Sequence, residues 1–176
     1  ANNPVEFEGE QNNYESIFVV LNILLSLKGS PNSHELDDIL YEVETFLSDS
    51  NWKIRDVAAR TIVALNSSPY GTSKRLLEKS STKHQNNLHG SLLVTYYAIE
   101  NAIDHETFIE DISFLDLVNC LILKSIHFTK HNRCFITSLQ YLKDIISILE
   151  KAPQSIRLIP ESFFWDLQTY FVYHNS

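Results

Sequence analysis

Apolar residues return every three or four positions along most of this chain, and that period does most to limit its fold. Leu36, Ile39, Leu40, Val43, Phe46 and Leu47 form one such series, and Ile54, Val57, Ala58, Ile62 and Leu65 form the next. At 3.6 residues per turn each series lies along one side of a helix, leaving a stripe that another helix must cover. Breakers are scarce, with 4 Gly and 5 Pro in 176 residues. Short strands joined by tight turns need more of both, so the spacing predicts an all-α chain.

The helices follow from the breaks. The first is expected from Tyr14 to Lys28, stopped by Gly29, Ser30 and Pro31. The second is capped by Ser33 and broken by Asp49-Ser50-Asn51, and the third runs to Leu65. Pro69 opens a short helix through Leu77. Longer ones are expected over Asn86–Ile103, Thr107–Phe128 and Asn132–Lys151, with a last one from about Pro160. Consecutive amphipathic helices with short joins predict stacked helix pairs, with a compact bundle as the rival. Residues 1–13 are polar and acidic and are expected to be a linker or disordered end, leaving 14–176 as one helical-repeat domain. There is no Met, even at position 1, so the chain is expected to be a fragment of a larger protein.

Composition narrows the function classes. The densest apolar run, Ile17 to Leu27, is broken by Asn22 and Ser26 and falls short of a membrane span. Two cysteines, Cys120 and Cys134, make no secreted disulfide framework, so a cytoplasmic setting is expected. The net charge of −8 is uneven: residues 1–50 hold ten acids and one base, whereas residues 51–83 hold seven bases and two acids. The whole chain is a poor nucleic-acid binder by charge, but its basic blocks give local candidates for phosphate contact. Lys74 and Arg75 belong to one, and Lys124, Lys130 and Arg133 to another. Solvated helix ends are the plainer reading of both. No nucleophile elbow, phosphate-cradling Gly-rich loop or strand followed by a Gly-rich turn is present, so no catalytic residue, cofactor or small-molecule substrate is expected.

Two segments say more. "FLSDSNWKIRDVAARTIVAL", Phe46 to Leu65, resembles a HEAT repeat across the joint between its two helices. Asp49 can accept backbone N–H bonds where the second helix begins. Arg55 can reach an Asp or a carbonyl of a neighbouring repeat, while Ala58 and Ala59 permit close packing. The second segment is "NNLHGSLLVTYYAIEN", Asn86 to Asn101. Asn86 is expected to cap this helix, placing His89 and Gly90 in its first turn. Gly90 lies at the edge of the stripe made by Leu88, Leu92, Leu93, Tyr96 and Ile99, where another helix can approach closely. His89 is read as a hydrogen-bonded tie between repeats, with a general base in a pocket as its rival.

Taken in order, Ile54-Arg55-Asp56-Val57-Ala58-Ala59-Arg60 and then Asn86, Leu88, His89, Gly90, Leu92 and Leu93 resemble the carboxyl-terminal part of the THADA (thyroid adenoma-associated protein) family, over about residues 46–100. The resemblance implies a HEAT/armadillo-like α-solenoid segment. The family includes the auxiliary subunit of a tRNA ribose 2′-O-methyltransferase acting on the anticodon loop. A non-catalytic subunit is therefore implied, whose partners are tRNA and a separate catalytic methyltransferase subunit. The alternative is a general HEAT-type protein–protein adaptor unconnected to RNA.

Two further groups are weighed. His127 and His131, between Cys120 and Cys134, stand four apart, a metal-compatible spacing, but a buried thiol and loop histidines explain them more simply. No metal is expected. The aromatic run "FFWDLQTYFVY", Phe163 to Tyr173, is expected to pack between repeats rather than to stack on bases.

Overall fold

A computed structural model describes the backbone of residues 6–27, 34–81 and 84–104 and of positions 113, 116, 117, 120, 121 and 124. The described residues form five α-helices and one 3-10 turn, with no strand among them. Helix α1 spans Glu6–Ser26, α2 His34–Thr45, α3 Trp52–Leu65, α4 Pro69–Lys79 and α5 Gln85–Asp104; the 3-10 turn Phe46–Ser48 follows α2.

Helix α3 is the centre of this arrangement, packed by α1, α2, α5 and the 3-10 turn. It is buried on more than its apolar stripe. Ala58 and Ala59 are fully enclosed, and Ile54, Val57, Ile62 and Leu65 fill the core around them. Two consecutive alanines let helices close in from both sides, where larger side chains would hold them apart. On the α1 side, Thr61 Oγ1 lies 2.8 Å from Val57 O and 3.2 Å from Leu21 O, so its hydroxyl is satisfied inside the seam. Leu21 and Leu47 are 1% exposed, and burying each such leucine stabilises the fold by about 2 kcal/mol.

The starts of three helices differ from expectation. Helix α1 begins at Glu6, two turns before Tyr14, so it takes in residues 6–13 as well. Glu6, Glu8, Glu10 and Gln11 favour helix there against Gly9, Asn12 and Asn13, and a helix already nucleated by packing needs no new nucleus to extend through them. Asn51, not Asp49, caps α3: its Oδ1 accepts the Lys53 N–H at 3.0 Å. Asp49 acts one step earlier, its Oδ1 accepting the Asn51 N–H at 2.6 Å, a local turn that sets up the cap. Helix α5 begins before Asn86, because the Leu88 N–H already bonds His84 O at 3.0 Å. Asn86 is thus an exposed residue within the first turn and not the cap.

Pro69 opens α4 as expected; the loop before it is held by Asn66, whose Oδ1 accepts from Ser68 N and whose Nδ2 donates to Thr72 Oγ1, both at 2.8 Å. Positions 113, 116, 117, 120, 121 and 124 are helical, with Ser113 and Asp116 exposed and Leu117, Cys120 and Leu121 buried, in keeping with a stripe over 107–128. The expected cap Ser33, the helices 132–151 and 160 onward, and the aromatic run 163–173 lie outside the described residues.

Candidate functional site

The residues singled out in the sequence meet where α3, α5 and the 3-10 turn converge. Arg55 is 8% exposed, and its guanidinium has to be satisfied inside the protein. Its Nη1 donates to Asp49 O at 2.5 Å and to Ser50 O at 3.0 Å, tying the loop to the helix it introduces. Its Nε donates to His89 Nδ1 at 3.0 Å, crossing from α3 to α5. Arg55 therefore reaches carbonyls of its own repeat and the imidazole of the next.

That contact fixes the state of His89. A guanidinium can only donate, so Nδ1 must carry a lone pair and the ring must be neutral with its proton on Nε2. Burial, with the charge of Arg55 second, lowers the His89 pKa to about 4, against a smaller opposing pull from Asp56. The ring is 6% exposed. A polar hollow nearby is lined by Ser48, His84, Gln85, Asn86 and Asn87, without His89. With so low a pKa the imidazole is a weak base, and it serves here as a hydrogen-bond acceptor.

Gly90 explains how the helices come so close. A Cβ added there would lie 2.2 Å from Leu47 O, 2.8 Å from Leu47 Cβ and 2.9 Å from Leu47 C. Helix α5 crosses the backbone of the 3-10 turn at this point, and backbone cannot swing aside as a side-chain end can. Because α5 starts at Gln85, Gly90 stands in the second turn, where a glycine costs about 1 kcal/mol relative to Ala. The close crossing outweighs that cost.

Two more ties were not foreseen. Tyr97 on α5 donates its hydroxyl to Asp56 Oδ1 at 2.5 Å, and Arg60 bonds Asp56 Oδ2 at 3.1 Å while lying 5.0 Å from the Tyr97 ring centroid. Burial and the bond to Asp56 raise the Tyr97 pKa. Asp56 and Arg60 are four apart on α3 and legible as a pair, but Tyr97 is 41 residues from Asp56 and carries no sequence mark of that contact. Between α2 and α4, Arg75 makes a two-armed contact to both carboxylate oxygens of Glu44, which raises the Arg75 pKa.

Three of the five candidate phosphate-contact residues are thus engaged within the protein. Besides Arg75, Lys74 Nζ lies 3.1 Å from Asp116 Oδ2, and Lys124 Nζ donates to Glu78 O at 2.9 Å. Lys130 and Arg133 lie outside the described residues, as do His127, His131 and Cys134. Burial pushes the Cys120 thiol pKa up, and no group of three metal-capable side chains occurs among the described residues. None of the described helices is long and apolar enough to cross a membrane.

A family model described as Trm732, C-terminal TPR repeats, matches residues 3–98, more than half of the chain. The chain belongs to this family. Trm732 is an auxiliary factor of tRNA modification, in line with the resemblance of residues 46–100 to the carboxyl-terminal part of the THADA family. TPR, HEAT and armadillo repeats all stack helix pairs, and the described helices fit such a helical-repeat solenoid. No solved structure matches the chain. The Trm732 match covers α1 to α4 and most of α5, so Arg55, His89 and Gly90 all fall within it.

Proposed function

We propose that this chain is a structural segment of a non-catalytic, cytoplasmic subunit that supports ribose 2′-O-methylation in the tRNA anticodon loop by a separate methyltransferase. The observation that carries this reading is the family match over a segment whose histidine is used as a buried tie. In a solenoid each repeat contacts only its neighbours, so such a tie holds shape along the array and leaves chemistry to another protein. The subunit's task is then to hold tRNA and present it to the enzyme.

Lys74 and Arg75 are tied to carboxylates and Lys124 to carbonyls, which favours phosphate contact through other residues of the subunit. The same observation favours the alternative, an adaptor unconnected to RNA. The two separate by gel shift of tRNA with the full-length subunit at several salt concentrations: binding that weakens with salt supports the tRNA reading, and no binding supports the adaptor. The chain itself, given methyl donor and tRNA, is expected to transfer no methyl group. Methylated tRNA from this chain alone would overturn the reading.

A further inference from the structure

The polar hollow beside the Arg55–His89 tie encloses about 620 Å³ and is lined by Ser48, His84, Gln85, Asn86 and Asn87. That lining holds no aliphatic side chain and no carboxylate among the described residues. The Asn86 side chain is exposed and has no hydrogen-bond partner among them. The opening turns of α3 and α5 lie side by side here, because Arg55 bonds His89 and Asn87 Nδ2 donates to Ser48 Oγ at 3.2 Å. Helix α3 lies between α1 and α5, so this edge is interior to the array and not one of its ends.

Four residues after Ser48, about 14 Å of chain at most, comes Trp52, whose indole is 56% exposed. Its exposed neighbours in sequence, Ser48, Ser50 and Lys53, are polar, so the ring is not part of an apolar stripe that another helix would cover. Lys53 makes no ion pair among the described residues, unlike Lys74 and Arg75. The acid nearest in sequence, Asp49, has its Oδ1 turned to the Asn51 N–H at 2.6 Å. An open aromatic face, an unpaired cation and a hollow of amide, imidazole and hydroxyl groups match the three parts of a nucleotide: base, phosphate and hydrogen-bonding edge. In a duplex the base faces are covered, so stacking on Trp52 selects an unpaired base.

We infer that this edge binds single-stranded RNA, with Trp52 stacked on an unpaired base, Lys53 on a phosphate, and Asn86 in the hollow hydrogen-bonding an adjacent nucleotide. This rests on the tRNA reading for its choice of ligand and adds to it the residues that make contact.

The test measures binding of a fluorescein-labelled octaadenylate, and of an RNA duplex of the same length, to the full chain by anisotropy. The single strand is expected to bind at least fivefold more tightly. Trp52→Ala should weaken it about tenfold and Trp52→Phe restore most of that loss, since a phenyl ring still stacks. Lys53→Gln should lower the salt slope by about 0.7, the share of one phosphate on a single strand. Circular dichroism should stay that of the parent in all three variants, because both positions are exposed. Equal binding of strand and duplex, no binding of the strand, or an affinity unmoved by Trp52→Ala would overturn the inference. The full-length subunit separates this from the wider reading: tRNA binding there that Trp52→Ala leaves unchanged sinks the inference alone, whereas the absence of tRNA binding sinks the tRNA reading.

Discussion

Helices α1 and α5 are of similar length, 21 and 20 residues, and both pack on α3, but they do so in opposite ways. Helix α5 is held by chemistry that admits little variation: a glycine against backbone, an imidazole on a guanidinium and a phenol on a carboxylate. Helix α1 is held by Leu21, by partly buried neighbours such as Ile17 and Leu24, and by two hydroxyl contacts, Thr61 to Leu21 O and Tyr14 with Ser50, and it leaves Val19, Val20 and Ile23 more than half exposed. One side of α3 is a finished joint, and the other presents a surface.

The sharpest way to break the comparison is at Gly90. Gly90→Ala should cost about 3 kcal/mol in urea unfolding, because the new methyl meets the Leu47 backbone. If the crossing were loose, Ala would instead stabilise α5 by about 1 kcal/mol through helix propensity, so the sign of the change decides. Arg55→Met comes next, at about 2–3 kcal/mol. It leaves Asp49 O, Ser50 O and His89 Nδ1 without the donor that now satisfies them.

The third effect depends on pH. The His89 pKa of about 4 in the fold lies below its ordinary 6.5, so the unfolded chain binds that proton more tightly. The contribution is complete above about pH 6.5 and is lost as pH falls toward 4. It amounts to about 3 kcal/mol, read as the difference between parent and His89→Gln in urea melts across that range. The smallest effect belongs to α1: Ile23→Gln should shift stability by less than about 0.5 kcal/mol, as an exposed position would. A loss of several kcal/mol there would make α1 as tightly built as α5 and erase the contrast.

Much of the fold was legible because periodicity is local. The stripe from Leu36 to Leu47, the break at Asp49-Ser50-Asn51 and the proline opening α4 each require only a few neighbouring residues. Cap identity was not, because Asp49, Ser50 and Asn51 all can cap and only the chain's path selects Asn51. The start of α5 was misplaced for a similar reason: His84 O accepts the bond that opens the helix, and a backbone carbonyl leaves no trace in residue type. At the site, a buried use for Arg55, His89 and Gly90 could be suspected from their types, but their meeting depends on α5 crossing the turn at Leu47. Lys74 and Arg75 show the limit from the other direction. They formed a basic patch in sequence, and long-range folding brought Asp116 and Glu44 to them.

The central claim is that His89 is a neutral acceptor locking α5 to α3. Imidazole nitrogen shifts of His89, followed by NMR from pH 3.5 to 8, test it most directly. A ring unprotonated at Nδ1 throughout the neutral range, titrating near 4, is the predicted result. Titration near 6.5, with either nitrogen carrying the proton, would mean the ring faces water and the lock does not exist.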